Sequence, residues 1–378
     1  MTNAATSMPI TGLPGSPIAT ASQGRLMWLR FRRHRLAVFG LIVIICMYLL
    51  SAFAEVVSTT DPEAPNALQT FHPPQMVHFI DTSDGRWHIR PYAITYDTRR
   101  DPVSFERIYT PVPEHKTYLS VFGKGTRYQL WGIFPMDRHL LVPSNPQEVF
   151  YLLGADRLGR DMLSRVLYGA RITLSIGVVG VFFSVILGVL LGGVSGYYGG
   201  RTDWCIQRLV EYVLSLPTIP LWLALAAALP KDWSPTLQYF SITAIVSLVG
   251  WTELARVVRG RFLSMRDEAF VIAARLDGVS EFRIILRHML PSLTSHIIAA
   301  VSLAVPAMIL AESSLSFLGL GLQPPTISWG VLLQEAQNIP AIAGAPWVFI
   351  PGAAIIIAVI SLNFIGDGMR DAADPYSH

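Results

Sequence analysis

Lysine is nearly missing from this chain: Lys116, Lys124 and Lys231 are the only three, so arginine supplies almost all of the 29 basic side chains. Charge of either sign is scarce, at 15% of residues, against roughly a quarter in an ordinary soluble domain. Hydrophobic residues make up 52% and the mean hydropathy is +0.43. That balance excludes a soluble globular body and points to an integral membrane protein. The net charge of +3 is small for 378 residues and implies no nucleic-acid partner. Two cysteines, Cys46 in an apolar run and Cys205 in a polar stretch, exclude a disulfide framework and a cysteine metal site. No internal repeat with a period of about 20–50 residues is visible. Catalytic signatures are lacking too. "GKGT" at 123–126 has neither the upstream glycine nor the following helix of a P-loop. H-E-x-x-H and G-x-S-x-G do not occur. His72, His78, His88, His115 and His139 are scattered and fit surface or aromatic-cluster positions. Neither a metal nor a cofactor is expected, and energy for uphill transport would have to come from another chain.

What is present is a succession of apolar runs. Residues 1–35 read as a tail, Pro/Ala/Ser/Thr/Gly-rich as far as Gly24 and arginine-rich at Arg25, Arg30, Arg32, Arg33 and Arg35. Residues 36–54 are uncharged and long enough to span about 30 Å of hydrocarbon. Ala52-Phe53-Ala54 resembles a signal-peptidase site, but the run exceeds the usual 7–15 residues of a signal peptide, which favours an uncleaved anchor with its arginines in the cytoplasm. Residues 55–168 are polar, aromatic and proline-rich, with alternating segments at 87–96 and 126–134 that suit short strands and turns. They read as an extracytoplasmic insert and a loop before the second span. Residues 169–378 form the membrane core, with apolar segments near 172–198, 209–229, 237–251, 293–320 and 346–365. The predicted fold is an all-α integral membrane protein of six transmembrane helices with a partly β periplasmic insert between helices 1 and 2. Both termini then lie in the cytoplasm. Loop 253–292 carries Arg256, Arg259, Arg261, Arg266, Arg275, Arg283 and Arg287 and falls on the cytoplasmic side, as the positive-inside rule requires. Arg157, Arg160, Arg165 and Arg171 fall outside, against the rule, which weakens for long translocated loops.

Within that loop, "AARLDGVSEFRIILRHMLP" (273–291) predicts a helix over 271–277 stopped by Gly278 in a left-handed conformation. Ser280 is placed to cap a second helix, with Phe282, Ile285, Leu286 and Met289 on one face and Arg283 and Arg287 on another. Such a rigid amphipathic knob is either a membrane-surface helix or a docking element for a soluble partner.

Its spacing (Ala273-Ala274, Gly278, then Leu290-Pro291) resembles the "EAA" loop of ABC-importer permeases, with Ile272 where glutamate is usual and His288 where isoleucine is common. "LGADRLGRDMLSRVLYGARITLSIG" (153–177), "LSFLGLGLQPPTISWGVLL" (315–333) and "GDGMRDAADP" (366–375) are similar to blocks of the peptide/nickel subfamily. "WLRFRRHRLAVFGLIV" is similar to the N-terminal region of its second, C-type permease. The resemblance covers about 36–54 and 150–378 and leaves 55–150 unmatched. It implies half of the transmembrane pathway of a bacterial inner-membrane importer of peptides or a similar solute. Its partners would be a second permease subunit in a heterodimer, two ATP-binding subunits, an extracytoplasmic solute-binding protein and the lipid bilayer. It implies that Ala273, Ala274, Asp277, Gly278, Phe282, Arg283, Leu290 and Pro291 couple to the ATPase, with no catalytic residue in this chain.

Other candidates stay open. Asp156, Arg160, Asp161 and Arg165, with Arg157, either pair among themselves or meet a binding protein. Gly319, Gly321, Pro324, Pro325 and Trp329 suit irregular backbone at an external mouth. Glu312, deep in a span, lines the path, pairs with the partner permease, or bonds to a neighbouring serine or backbone; Glu211 and Glu253 sit at span ends. Pro217 and Pro220 interrupt the third span. A secondary transporter of small polar solutes is the alternative, yet no inverted repeat is seen. A membrane enzyme would need carboxylates at one depth.

Overall fold

The structure is a computed structural model that describes residues 23–81, 87–102, 107–230, 232–337 and 344–373. Most of the expected tail, Lys231 and the end of the 366–375 motif lie outside the described residues. The chain opens with α1 (Gln23–Phe31) and α2 (Arg35–Ala52). His34 caps α2, its ring nitrogen accepting from the Ala37 N–H at 3.1 Å. One further turn, α3 (Ala54–Val57), leads into the insert.

Six strands follow: β1 (Val77–Asp81), β2 (His88–Arg100), β3 (Arg107–Val121), β4 (Lys124–Leu130), β5 (Phe134–Arg138) and β6 (Leu141–Pro143). They make an antiparallel sheet of order β1-β2-β3-β6 and a separate β4–β5 hairpin. Ala93, Leu119 and Phe150 form the sheet's small core. Residues 126–134, where strand and turn are expected, form the end of β4 and the turn into β5. Trp131 (φ 54°) and Gly132 (φ 71°) both leave the β region, which stops the strand at Leu130.

The membrane body is built from α4 (Met162–Tyr198), α5 (Gly200–Ser215), α6 (Thr218–Ala227), α7 (Pro235–Met265), α11 (Thr294–Phe317) and α13 (Ile350–Ala373). Between α7 and α11 lie α8 (Ala269–Leu276), α9 (Glu281–Arg283), a π-turn (Ile284–Met289) and α10 (Leu290–Ser292); α12 (Trp329–Glu335) precedes α13. Among the described residues five helices are long and apolar enough to cross a membrane, or up to six if the bent pair α5–α6 is one span. The third expected span is therefore not one straight helix: α5 and α6 meet at 87°. Pro217 disfavours the helical conformation for Leu216, whose ψ is 133°. The fourth expected span continues well beyond Trp251, because Leu254, Ala255, Val258 and Phe262 keep a buried helical stripe among the arginines. Glu253, expected at a helix end, consequently sits within α7.

The tightest packing joins α4 to α7. A Cβ added at Gly196 would stand 2.6 Å from the Arg259 carbonyl oxygen, and one at Gly192 would collide with that of Ala255. Small residues allow this backbone approach where lipid offers no hydrophobic drive between helices. Ser247 reinforces it, its hydroxyl donating to the Gly180 carbonyl at 3.0 Å. Toward the start of α4, Ile44 of α2 and Ala358 of α13 pack with Leu174, Ile309 and Trp329.

Candidate functional site

The knob at the end of α7 is held by a small apolar core. Val271 and Ala274 of α8 face inward onto Phe262, Val258 and Tyr197. Arg275 lies over the Tyr197 ring at 5.0 Å and donates to its hydroxyl at 3.3 Å. The helix ends as expected at Gly278, whose φ is +73°. Val279 N–H donates to the Ala274 carbonyl at 3.1 Å and Gly278 N–H to that of Arg275 at 3.0 Å, the paired bonds of a Schellman stop. Ser280 occupies the cap position of α9 but its side chain makes no capping bond.

The face expected from Phe282, Ile285, Leu286 and Met289 is split. Ile284 and Met289 have no exposed surface, whereas Phe282 is 68% exposed and Leu286 is exposed. A π-turn closes i→i+5 bonds, so residues five apart stack on one side and the 3.6-residue period fails. Outside the knob's core, Phe270, Ile272, Leu276 and Phe282 are exposed, Leu276 at 83%. Of the expected coupling residues, Ala273, Asp277, Gly278, Phe282, Arg283 and Pro291 are exposed, Leu290 is half-buried and Ala274 is buried. Phe270 and Leu276 were not singled out from sequence. The signal was there: "AFVIAARL" carries more apolar residues than one buried face of two turns can use.

Asp156, Arg160 and Arg165 close into a network. Arg160 meets Asp156 and Glu335 at 2.7 Å each, and Arg165 meets the same two carboxylates at 2.9 and 3.0 Å. Arg157 is exposed and reaches Glu335 only through its charge, without a direct ion pair. Asp161 instead caps α4, accepting from the Ser164 N–H at 2.8 Å and the Thr59 hydroxyl at 2.9 Å. Burial pushes its carboxyl above the ordinary range, against hydrogen bonds from Ser164 and Thr59. Burial likewise raises Glu335, with Arg160 pulling the other way. Sequence reasoning missed Glu335, which lies on α12 far along the chain with no local motif to link it. Arg171 meets Glu55 at 2.8 Å and donates to the Ser51 and Ala52 carbonyls, satisfying the C-terminal end of α2.

Glu312 is fully buried in α11. It accepts from the hydroxyls of Ser328 at 2.8 Å and Ser316 at 2.9 Å. Trp329 is buried beside it, its backbone N–H donating to Thr173 at 3.1 Å and its indole to the Val166 carbonyl at 3.0 Å. These contacts tie α4, α11 and α12 together. Gly319 and Gly321 instead border a cavity of about 230 Å³ shared with Ala226, Leu229 and Gln238. Pro324 and Pro325 are exposed. The candidate mouth residues are thus divided between a buried lock, a small cavity and the surface.

A larger cavity of about 430 Å³ lies between α4, α6, α7 and α11. Ser184, Trp222, Gly250, Glu253, Ala307 and Met308 are among its lining residues, and Glu253 is the one carboxylate there. Of the polar residues singled out from sequence, Glu253 alone reaches it. Among the described residues no group of three or more His, Cys, Asp or Glu is arranged to hold a metal ion.

Apolar spanning helices around a mostly apolar cavity, with an exposed knob carried at the end of one of them, define an integral membrane protein of the transport-subunit class. Residues 184–376 match the binding-protein-dependent transport system inner membrane component family. Residues 22–74 match the N-terminal TM domain of oligopeptide transport permease C. The chain is 39% identical over 241 residues to the dipeptide transport system permease protein DppC of Bacillus subtilis, covering 63% of this chain and 73% of that protein. It is 38% identical over 240 residues to the oligopeptide transport system permease protein OppC of Haemophilus influenzae, covering 63% and 75%. Among solved structures, an inward-facing MetNI methionine ABC transporter aligns with TM-score 0.44 and 17% identity, over 56% of this chain and 98% of that one. The chain belongs to the family of binding-protein-dependent transport system inner membrane components. It is a permease subunit of an ABC importer.

Proposed function

We propose that this subunit forms one half of the path by which peptides, delivered by a soluble binding protein, cross the inner membrane. The named relatives carry dipeptides and oligopeptides. A second permease completes the path, and two ATP-binding subunits drive it. The ATPase side docks on the knob at 269–291, with Leu276 and Phe282 as anchors and Ala274, Gly278 and Leu290 as the residues that position them. The observation that carries this reading is the pairing of a fixed inner face (Val271, Ile284, Met289) with an exposed apolar outer face (Phe270, Ile272, Leu276, Phe282). A rigid patch of this kind suits a hydrophobic cleft in a partner.

Both termini and the knob are on the cytoplasmic side, and the chain crosses six times, the bent pair α5–α6 counting as one passage. The insert then lies outside, where it offers a platform to the binding protein. The outward arginines run against the positive-inside rule, which weakens for long translocated loops. Arg160, Arg165 and Arg171 are each held by a carboxylate. The cavity of about 430 Å³ is the part of the path supplied by this subunit.

Co-purification in mild detergent tests the reading. The wild-type chain should bring down a second permease and ATP-binding chains, and Leu276→Asp with Phe282→Asp should lose the ATP-binding chains while keeping the second permease. Recovery of the wild-type chain alone, active in proteoliposomes without ATP, would replace this reading with a secondary transporter.

A further inference from the structure

The β4–β5 hairpin ends in Trp131-Gly132-Ile133-Phe134, and nothing in the sheet covers these side chains. Ile133 is 70% exposed, Phe134 53% and Trp131 51%. An exposed apolar tip of this size is unusual for a water-facing domain and marks an interaction site. Its position is fixed by the helix beside it. The Trp131 indole N–H donates to the Ala52 carbonyl, the last residue of α2, at 2.7 Å, and its ring lies 5.5 Å from that of Phe53. α2 has the length and hydropathy of a membrane span, and its outer face exposes Ile42, Ile45, Leu49 and Leu50 up to this same end. The aromatic tip therefore sits level with the end of that candidate span.

The hairpin is held at that height from several sides. Leu140 N–H donates to the Val56 carbonyl at 2.7 Å, and a His139 ring nitrogen pairs with the Ser58 carbonyl at 2.7 Å. The Glu55 carboxyl, which burial alone would raise, is held below its ordinary range by Arg171 and by backbone N–H groups including that of Trp131. Trp131 itself has φ 54°, a backbone region that bulky side chains rarely occupy. Strain of this kind persists where the surroundings over-determine it. Higher on the hairpin Arg127 is exposed, roughly 10 Å from the tip residue Leu130 by strand rise, while Arg138 donates to the Phe122 carbonyl at 3.0 Å.

We propose that the β4–β5 tip is a lipid-interface anchor: Trp131, Ile133 and Phe134 enter the headgroup boundary beside the end of α2, with Arg127 toward the phosphates. Tryptophan favours this layer because its ring is apolar and its N–H finds a polar partner, here the Ala52 carbonyl. A basic side chain above an apolar tip matches an anionic lipid surface. The anchor would fix the insert's orientation over the permease instead of leaving it free to swing on its two connections.

The test uses the full chain with its co-purifying partners in nanodiscs of phosphatidylethanolamine and phosphatidylglycerol. Cys46→Ser and Cys205→Ser remove the native thiols, and an environment-sensitive fluorophore is placed at Ile133→Cys, at Phe134→Cys, and at Asn145→Cys as the water-facing control on the same insert. Lipids nitroxide-labelled near the headgroup should quench the first two several-fold more than the control, and aqueous iodide should show the reverse order. Equal iodide quenching at all three positions would overturn the proposal. So would shielding from both quenchers at 133 and 134 that disappears when the chain is purified alone, since a partner protein would then be the occupant. Two independent tip positions guard against a label that disturbs the turn.

Discussion

Arg165 is 2% exposed, and its charge is balanced by Asp156 close by and Glu335 on a different helix. Breaking a buried ion pair by removing one partner leaves an uncompensated charge and costs about 3–5 kcal/mol. Glu335→Gln should therefore lower the thermal unfolding midpoint in detergent markedly, and Arg157→Gln, on the exposed neighbour, should not. Equal midpoints for the two variants would show that the network is not structural. His72 gives a second test. It lies against the rings of Tyr96, Tyr109 and Tyr151, and burial lowers its pKa from 6.5 to about 4, the Pro73 carbonyl opposing the shift. The unfolded chain takes up this proton near 6.5 and the folded chain only near 4. Stability is thus complete above 6.5 and lost as the pH falls through that window, by up to about 3 kcal/mol. Hydrogen-exchange protection in the β2–β3 sheet, corrected for the slower intrinsic exchange at low pH, should fall between pH 6.5 and 4, and His72→Phe should flatten that dependence.

At the scale of elements, Gly188, Gly192 and Gly196 recur every four residues along α4 and meet the backbone of α7. Gly192→Ala places a methyl against the Ala255 carbonyl and should cost about 1–3 kcal/mol by overpacking. Gly260→Ala, with nothing within 4 Å of the added carbon, should be neutral or slightly stabilising. Parallel unfolding curves in detergent compare the two, and a matching loss at both positions would mean that α4 and α7 are not in close contact. The sequence already carried these glycines at four-residue spacing, yet hydropathy alone gives them no meaning. Other elements were legible to different degrees. Gly278 announced its helix stop because few residues other than glycine adopt that conformation readily. The Ile284–Met289 turn was illegible because a π-turn changes the period on which face assignment depends. The length of α7 was hidden because arginines lower the hydropathy of a segment whose other face stays buried. The break at Leu216 was legible as an interruption by Pro217, but its 87° angle depends on how α6 packs against α7 and α11, which no local pattern encodes.

Across the whole molecule, one helix links the knob to the larger cavity, the two regions proposed above to serve transport. The middle of α7 contributes Val246, Gly250 and Glu253 to the larger cavity, and its last turns set Phe262 against Val271, Ile284 and Met289 of the knob. Arg259, between them, is clamped to Asp203 of α5 at 2.5 and 2.6 Å. A displacement of the knob that carries α7 with it as one body moves a wall of the cavity. The two ends can be disabled separately. Ala307 is exposed within the cavity, so Ala307→Trp fills space there without crowding the core. Raising the passage barrier by about 1.4 kcal/mol is enough for a tenfold loss of rate. Ala307→Trp should thus reduce peptide uptake about tenfold while the ATP-binding chains still co-purify. Leu276→Asp should lose those chains and leave cavity labelling at Ala307→Cys unchanged. Undiminished uptake by Ala307→Trp would remove the cavity from the path and leave the boundary with the second permease as the route.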